Sequence, residues 1–70
     1  MKDYAEYLKG YVGKKGEFST MEGGIPYISF GKSYGQASIK EVHESFVIID
    51  TQGYGIIALP LNFFALIFNK

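Results

Sequence analysis

His43 is the single histidine of this chain, and there is no cysteine. Imidazole in a loop can stack on a base or donate to phosphate. One histidine without a cysteine does not make a convincing metal site. Hydroxyl side chains are plentiful, yet with no arginine, no cysteine and scattered carboxylates no acid–base constellation forms, so we expect neither an enzyme nor a metal or cofactor. Two glycine patterns fail as phosphate cradles. GKS at 31–33 has the ending of a phosphate-binding loop, but Pro26 stands where the motif needs its first glycine, and strand-like sequence follows where it needs a helix. Gly10, Gly13 and Gly16 lack dinucleotide-loop spacing and read as helix weakener, helix stop and turn.

Lysine makes up the whole basic complement, seven residues against seven Asp and Glu, for a net charge of zero. That balance, without arginine to fork onto phosphate, is not the footprint of a strong nucleic-acid binder. Lys2, Lys9, Lys14 and Lys15 interleave with Tyr4, Tyr7 and Tyr11 near the N-terminus. Such a mixture can hold single-stranded nucleic acid by stacking and charge. The ordinary reading of such a pattern, and the preferred one, is a solvated helix whose tyrosines pack on the barrel.

Spacing defines the elements that must position these residues. Tyr4, Leu8, Tyr11 and Val12 share one face of a helix over 3–12, with Asp3 as cap, Gly13 as stop, and Lys14 and Lys15 suiting the negative end. From residue 17 to 68 the pattern is strand-like. EFSTM (17–21) alternates; IPYISF (25–30) is extended with Pro26 near its start; GKSYG (31–35) turns. In QASIKEV (36–42), Ile39 and Val42 stand three apart, which predicts a bulge. FVIID (46–50) fills both faces of a strand, TQG (51–53) turns, YGIIAL (54–59) pairs back, and Pro60 separates a last strand within FFALIF. The expected architecture is a single domain over 1–70: one N-terminal α-helix and a strongly bent, antiparallel, partly open small barrel of five or six strands.

A chain of 70 residues buries only about 60% of its unfolded surface. Yet 47% of this one is apolar and 17% aromatic, more than one small core shelters, and no disulfide is available as a staple. Oligomerisation is the remaining device. IIALPLNFFALIF, residues 56–68, concentrates the excess. It is too short for a membrane helix, which takes about 20 residues. The charged N-terminus lacks a signal core, so the cytoplasm is the expected compartment.

SIKEVHESFVIID (38–50), followed by GYGIIALPLNFFALI (53–67), resembles the two-part signature of Sm-like (LSm/Hfq-like) proteins: a small residue, an aliphatic, two variable residues, an aliphatic and usually an acid before a short loop and a hydrophobic strand. Ala37, Ile39, Val42 and His43, then Phe46 to Ile49, occupy those positions. Residues 16–36 hold more extended sequence than one family strand, implying an extra hairpin or a long first turn. The resemblance implies an SH3-like barrel whose copies pair edge to edge in a homo-oligomeric ring. Ile56, Ile57, Leu59, Phe63, Phe64, Leu66 and Phe68 would then form the subunit interface. It also implies single-stranded RNA as a partner, contacted by His43, Glu44, Ser45, Phe46, Asn62, Lys9 and Tyr11. The loops depart from the family pattern: Val47 replaces a base-reading asparagine, and Leu59 with Pro60 replaces an Arg-Gly pair. The other reading is a homo-oligomeric SH3-like barrel that binds protein and no nucleic acid.

Overall fold

The computed structural model describes residues 2–31 and 35–68. Helix α1 spans Lys2–Lys9, and six strands follow: β1 Lys15–Thr20, β2 Pro26–Phe30, β3 Ala37–Val42, β4 Phe46–Thr51, β5 Gly55–Pro60 and β6 Ala65–Phe68. A 3₁₀ turn, Leu61–Phe63, links β5 to β6. The expected turn around GKSYG falls largely on 32–34, outside the described residues.

The helix is shorter than its apolar spacing predicts. At Gly10 the bonding tightens to three-residue steps (Gly10 N–H to Tyr7, Tyr11 N–H to Leu8), as expected where glycine weakens a last turn. Tyr11 and Val12 therefore leave the helix. Val12 instead bridges Ile39, and Gly13, at φ 88°, turns the chain while its N–H bonds the Ile39 carbonyl. α1 docks through Ala5 and Leu8, both buried, and through the Tyr4 hydroxyl, which donates to the Phe64 carbonyl at 2.8 Å.

The sheet runs in the order β5-β4-β3-β1-β2-β6. Four pairings are antiparallel; β2 with β6 is parallel, so the sheet is mixed rather than wholly antiparallel. The cause is the β1–β2 hairpin. It places β2, running opposite to β1, where the incoming last strand pairs, so a strand antiparallel to β1 is parallel to β2. The bulge expected in β3 is present as a register shift between Ile39 and Glu41.

Leu8 of α1, Ile28 of β2, Ile39 of β3, Val47 and Ile49 of β4, and Leu61 of the 3₁₀ turn are fully enclosed. β4 alternates instead of filling both faces: Val47, Ile49 and Thr51 are buried, whereas Phe46 is exposed and Ile48 and Asp50 are half-buried. A single curled sheet has an inside and an outside, and only the inside meets the core. The curl brings the β4–β5 turn towards β1, where Phe18 and Tyr54 meet edge to face at 6.3 Å. No ladder joins β5 to β6, so the sheet stays open with a free edge on each.

Candidate functional site

The residues expected to contact RNA divide between two places. Glu44 and Ser45 form a two-residue turn between β3 and β4, closed by the His43 N–H donating to the Phe46 carbonyl at 2.9 Å. His43 lies flat on Phe46, ring centroids 4.3 Å apart and planes 12° off parallel, and its Nε2 is 2.9 Å from Glu41 Oε1. That imidazole is thus stacked on one face and paired at one nitrogen. Lys9 shares a cleft with His43 and Glu44, between the helix and this turn, and forms a 3.3 Å ion pair with Glu6. Glu6, Glu41 and Glu44 together outweigh Lys9 there, a poor field for phosphate. Asn62 is exposed on the 3₁₀ turn, which is tied to this loop by the Leu61 N–H donating to the Ser45 carbonyl. Val47, at the position where the resembled family reads a base, is fully buried and faces the core.

Tyr11 sits elsewhere, in an aromatic face. Its ring stacks on Phe30 at 5.3 Å and meets Phe68 at 5.3 Å and Tyr7 at 5.4 Å. The Tyr7 and Tyr11 hydroxyls share a hydrogen bond at 3.3 Å, and this pairing is the first cause holding the Tyr7 phenol above the ordinary tyrosine pKa. Lys14 Nζ lies 5.4 Å from the Tyr11 ring centre, within cation–π reach. Tyr7 and Phe68 keep 53% and 46% of their surface exposed, beside the free edge of β6.

A further concavity lies against β5. It is a cleft of about 540 Å³ between the β1–β2 hairpin and β5, framed by Phe18 and Pro26 on one side and Tyr54, Ile57, Leu59 and Phe63 on the other. Ser19, Thr20 and Gly24 complete the lining, and no charged side chain enters it. Beside it runs the free edge of β5.

The backbone of that edge can be read from one bond. Because Leu61 donates to Ser45, and the β4–β5 register continues as Val47 with Leu59 and Ile49 with Ile57, alternation makes these the hydrogen-bonded pairs. Gly55, Ile57 and Leu59 direct their backbone groups inward to β4. Ile56 and Ala58 direct both N–H and C=O outward. Pro60 occupies an outward position too, where its missing N–H costs the ladder nothing. Its carbonyl, as cap of the 3₁₀ turn, begins that turn, so the edge ends there.

The expected interface residues separate accordingly. Ile56, Phe63 and Phe68 are exposed; Ile57, Leu59 and Leu66 are half-buried and packed against the core. Phe64 is buried within the core, because the 3₁₀ turn sends one of two adjacent phenylalanines outward and the next inward. Phe18, Pro26 and Tyr54 were not expected at a site. Each sits on an element whose place depends on the curl of the sheet, and no local spacing marks them. Among the described residues no helix is long and apolar enough to cross a membrane, and no group of three His, Cys, Asp or Glu is placed to hold a metal ion. No protein-family model, curated protein or solved structure matches this chain.

Proposed function

We propose that this chain is a non-catalytic β module that binds polypeptide along its free strand edges, copies of itself included. The observation that carries the reading is the free edge of β5 beside a large cleft with no charged lining. An unpaired row of backbone groups is a template for another strand, and natural proteins usually blunt such edges with charge. Here β5, GIIALP, has none, and Ile56 is 63% exposed. A second copy suits the β6 edge, where Tyr7 and Phe68 lie exposed with no partner surface. Light scattering over a concentration series tests the self-pairing. A mass that rises to a fixed multiple of the protomer supports it, and a monomer throughout removes it.

The second reading is an Sm-like ring presenting single-stranded RNA. What favours it is the aromatic face, where exposed Tyr7 and Phe68 lie beside Tyr11 with Lys14 above it, a combination suited to stacked bases and a phosphate. On this reading contacts come from that face rather than from the His43 loop. Anisotropy of labelled oligo-U and oligo-A across a salt series separates the two, because phosphate-driven binding weakens as salt rises. Absence of binding at low salt excludes RNA.

A further inference from the structure

We infer that the gap between β5 and the β1–β2 hairpin is a slot for one extended, uncharged segment of a partner protein, which adds to β5 as a seventh strand. The inference rests on the polypeptide-binding reading and names its occupant. Two features of the slot fix the chemistry of the guest. The first is the outward-facing backbone of Ile56 and Ala58, which offers two donors and two acceptors and is bounded at its far end by Pro60. Only an extended chain presents complementary groups at that two-residue spacing.

The second is the parity of the side chains. Ile57 and Leu59 line the cleft while Ile56 and Ala58 are exposed on the other face. An added strand shares the pleat of its neighbour, so every second guest side chain enters the cleft and the intervening ones face solvent. Those entering meet Phe18, Pro26 and Phe63 and no ion to pair with, so a carboxylate or ammonium there would be desolvated without compensation. The guest therefore carries apolar residues at alternate positions. Hydroxyls of Ser19 and Thr20 at the hairpin side tolerate a small polar group, but not a charge.

The test uses the whole protein, uniformly ¹⁵N-labelled, and two capped heptapeptides. One alternates threonine with valine and phenylalanine; the other carries glutamate at the apolar positions. The first peptide should slow hydrogen exchange at the Ile56 and Ala58 amides. The Ile57 and Leu59 amides, already bonded to β4, should change little. The glutamate peptide should leave all four unchanged. Ala58→Pro removes one of the two outward donors and should weaken the first peptide about tenfold, the equivalent of one net hydrogen bond. Absence of binding at millimolar peptide, equal binding of both peptides, or undiminished binding to Ala58→Pro overturns the inference. Protection of Ile56 and Ala58 that grows with protein concentration, in the absence of peptide, also overturns it. That result would give the slot to a second copy and leave the broader polypeptide-binding reading standing.

Discussion

Proline placed at neighbouring positions of β5 should have opposite consequences. Leu59 and Ala58 differ by one residue, but alternation from the Leu61–Ser45 bond sends the Leu59 N–H to Val47 and the Ala58 N–H into solvent. Leu59→Pro deletes a ladder bond beside fully buried Val47 and removes a half-buried leucine from the cleft. The Val47 carbonyl left unpaired and the lost leucine packing together cost about 3 kcal/mol or more. A domain of this length holds roughly 4 to 10 kcal/mol in total. Ala58→Pro deletes no ladder bond, and Pro60, on the same edge at φ −67° and ψ 141°, shows that the edge accepts the ring. Its cost should be about 1 kcal/mol or less. Urea unfolding followed by tyrosine fluorescence and circular dichroism measures both. With a slope of about 1 kcal/mol per molar for so small a chain, the midpoint should fall by about 3 M for Leu59→Pro and by about 1 M or less for Ala58→Pro. Equal losses, or a larger loss for Ala58→Pro, would refute the assignment of the free edge.

Other consequences follow from the packing. A methyl group on Gly16 would stand 2.7 Å from the Ser29 carbonyl oxygen and 3.0 Å from Ile28 and Phe30 side-chain carbons, so Gly16→Ala should cost about 1 to 3 kcal/mol by overpacking, read as a lower Tm. Leu8→Ala empties a fully buried site under the helix and should cost about 2 to 5 kcal/mol by urea titration, with loss of helical ellipticity. Tyr4→Phe removes the bond to the Phe64 carbonyl and should cost about 1 kcal/mol at neutral pH. Burial raises the Tyr4 pKa, so its neutral form is favoured by folding: that contribution is complete below about pH 10, the ordinary tyrosine value, and is lost as pH rises through the elevated value. Alkaline titration of stability should accordingly be flatter in Tyr4→Phe than in the parent chain.

Much of the fold is legible in the residue pattern because strand periodicity and turn chemistry are local. The β3 bulge follows from Ile39 and Val42 standing out of alternation, and a turn after β4 follows from the composition of TQG, although it falls at 52–54 with Thr51 still in the strand. The end of α1 is less legible. Tyr11 and Val12 keep helical spacing, but the bridge from Val12 to Ile39 and the packing of Tyr11 on Phe30 and Phe68 are tertiary contacts that draw them off the helix. The parallel β2–β6 pair depends on which strand of a hairpin lies outermost, which no local pattern records.

The site is the least legible part. Phe18 and Leu59 are brought to one cleft only by the curl of the whole sheet. Phe63 and Phe64 are chemically identical neighbours, and only the 3₁₀ turn decides that one is exposed and the other enclosed. Pro60 reads along the chain as a separator between strands, whereas in the sheet it also closes off the outward row that Ile56 and Ala58 present.

The central claim is that this small domain leaves strand edges and apolar surface that other polypeptide, beginning with its own copies, covers. Its most direct test is the solution mass of the purified protein by sedimentation equilibrium, beside that of Phe68→Lys. The account predicts a fixed multiple of the protomer that Phe68→Lys reduces while the fold persists by circular dichroism. A well-folded monomer at every concentration, for the parent chain itself, would contradict it.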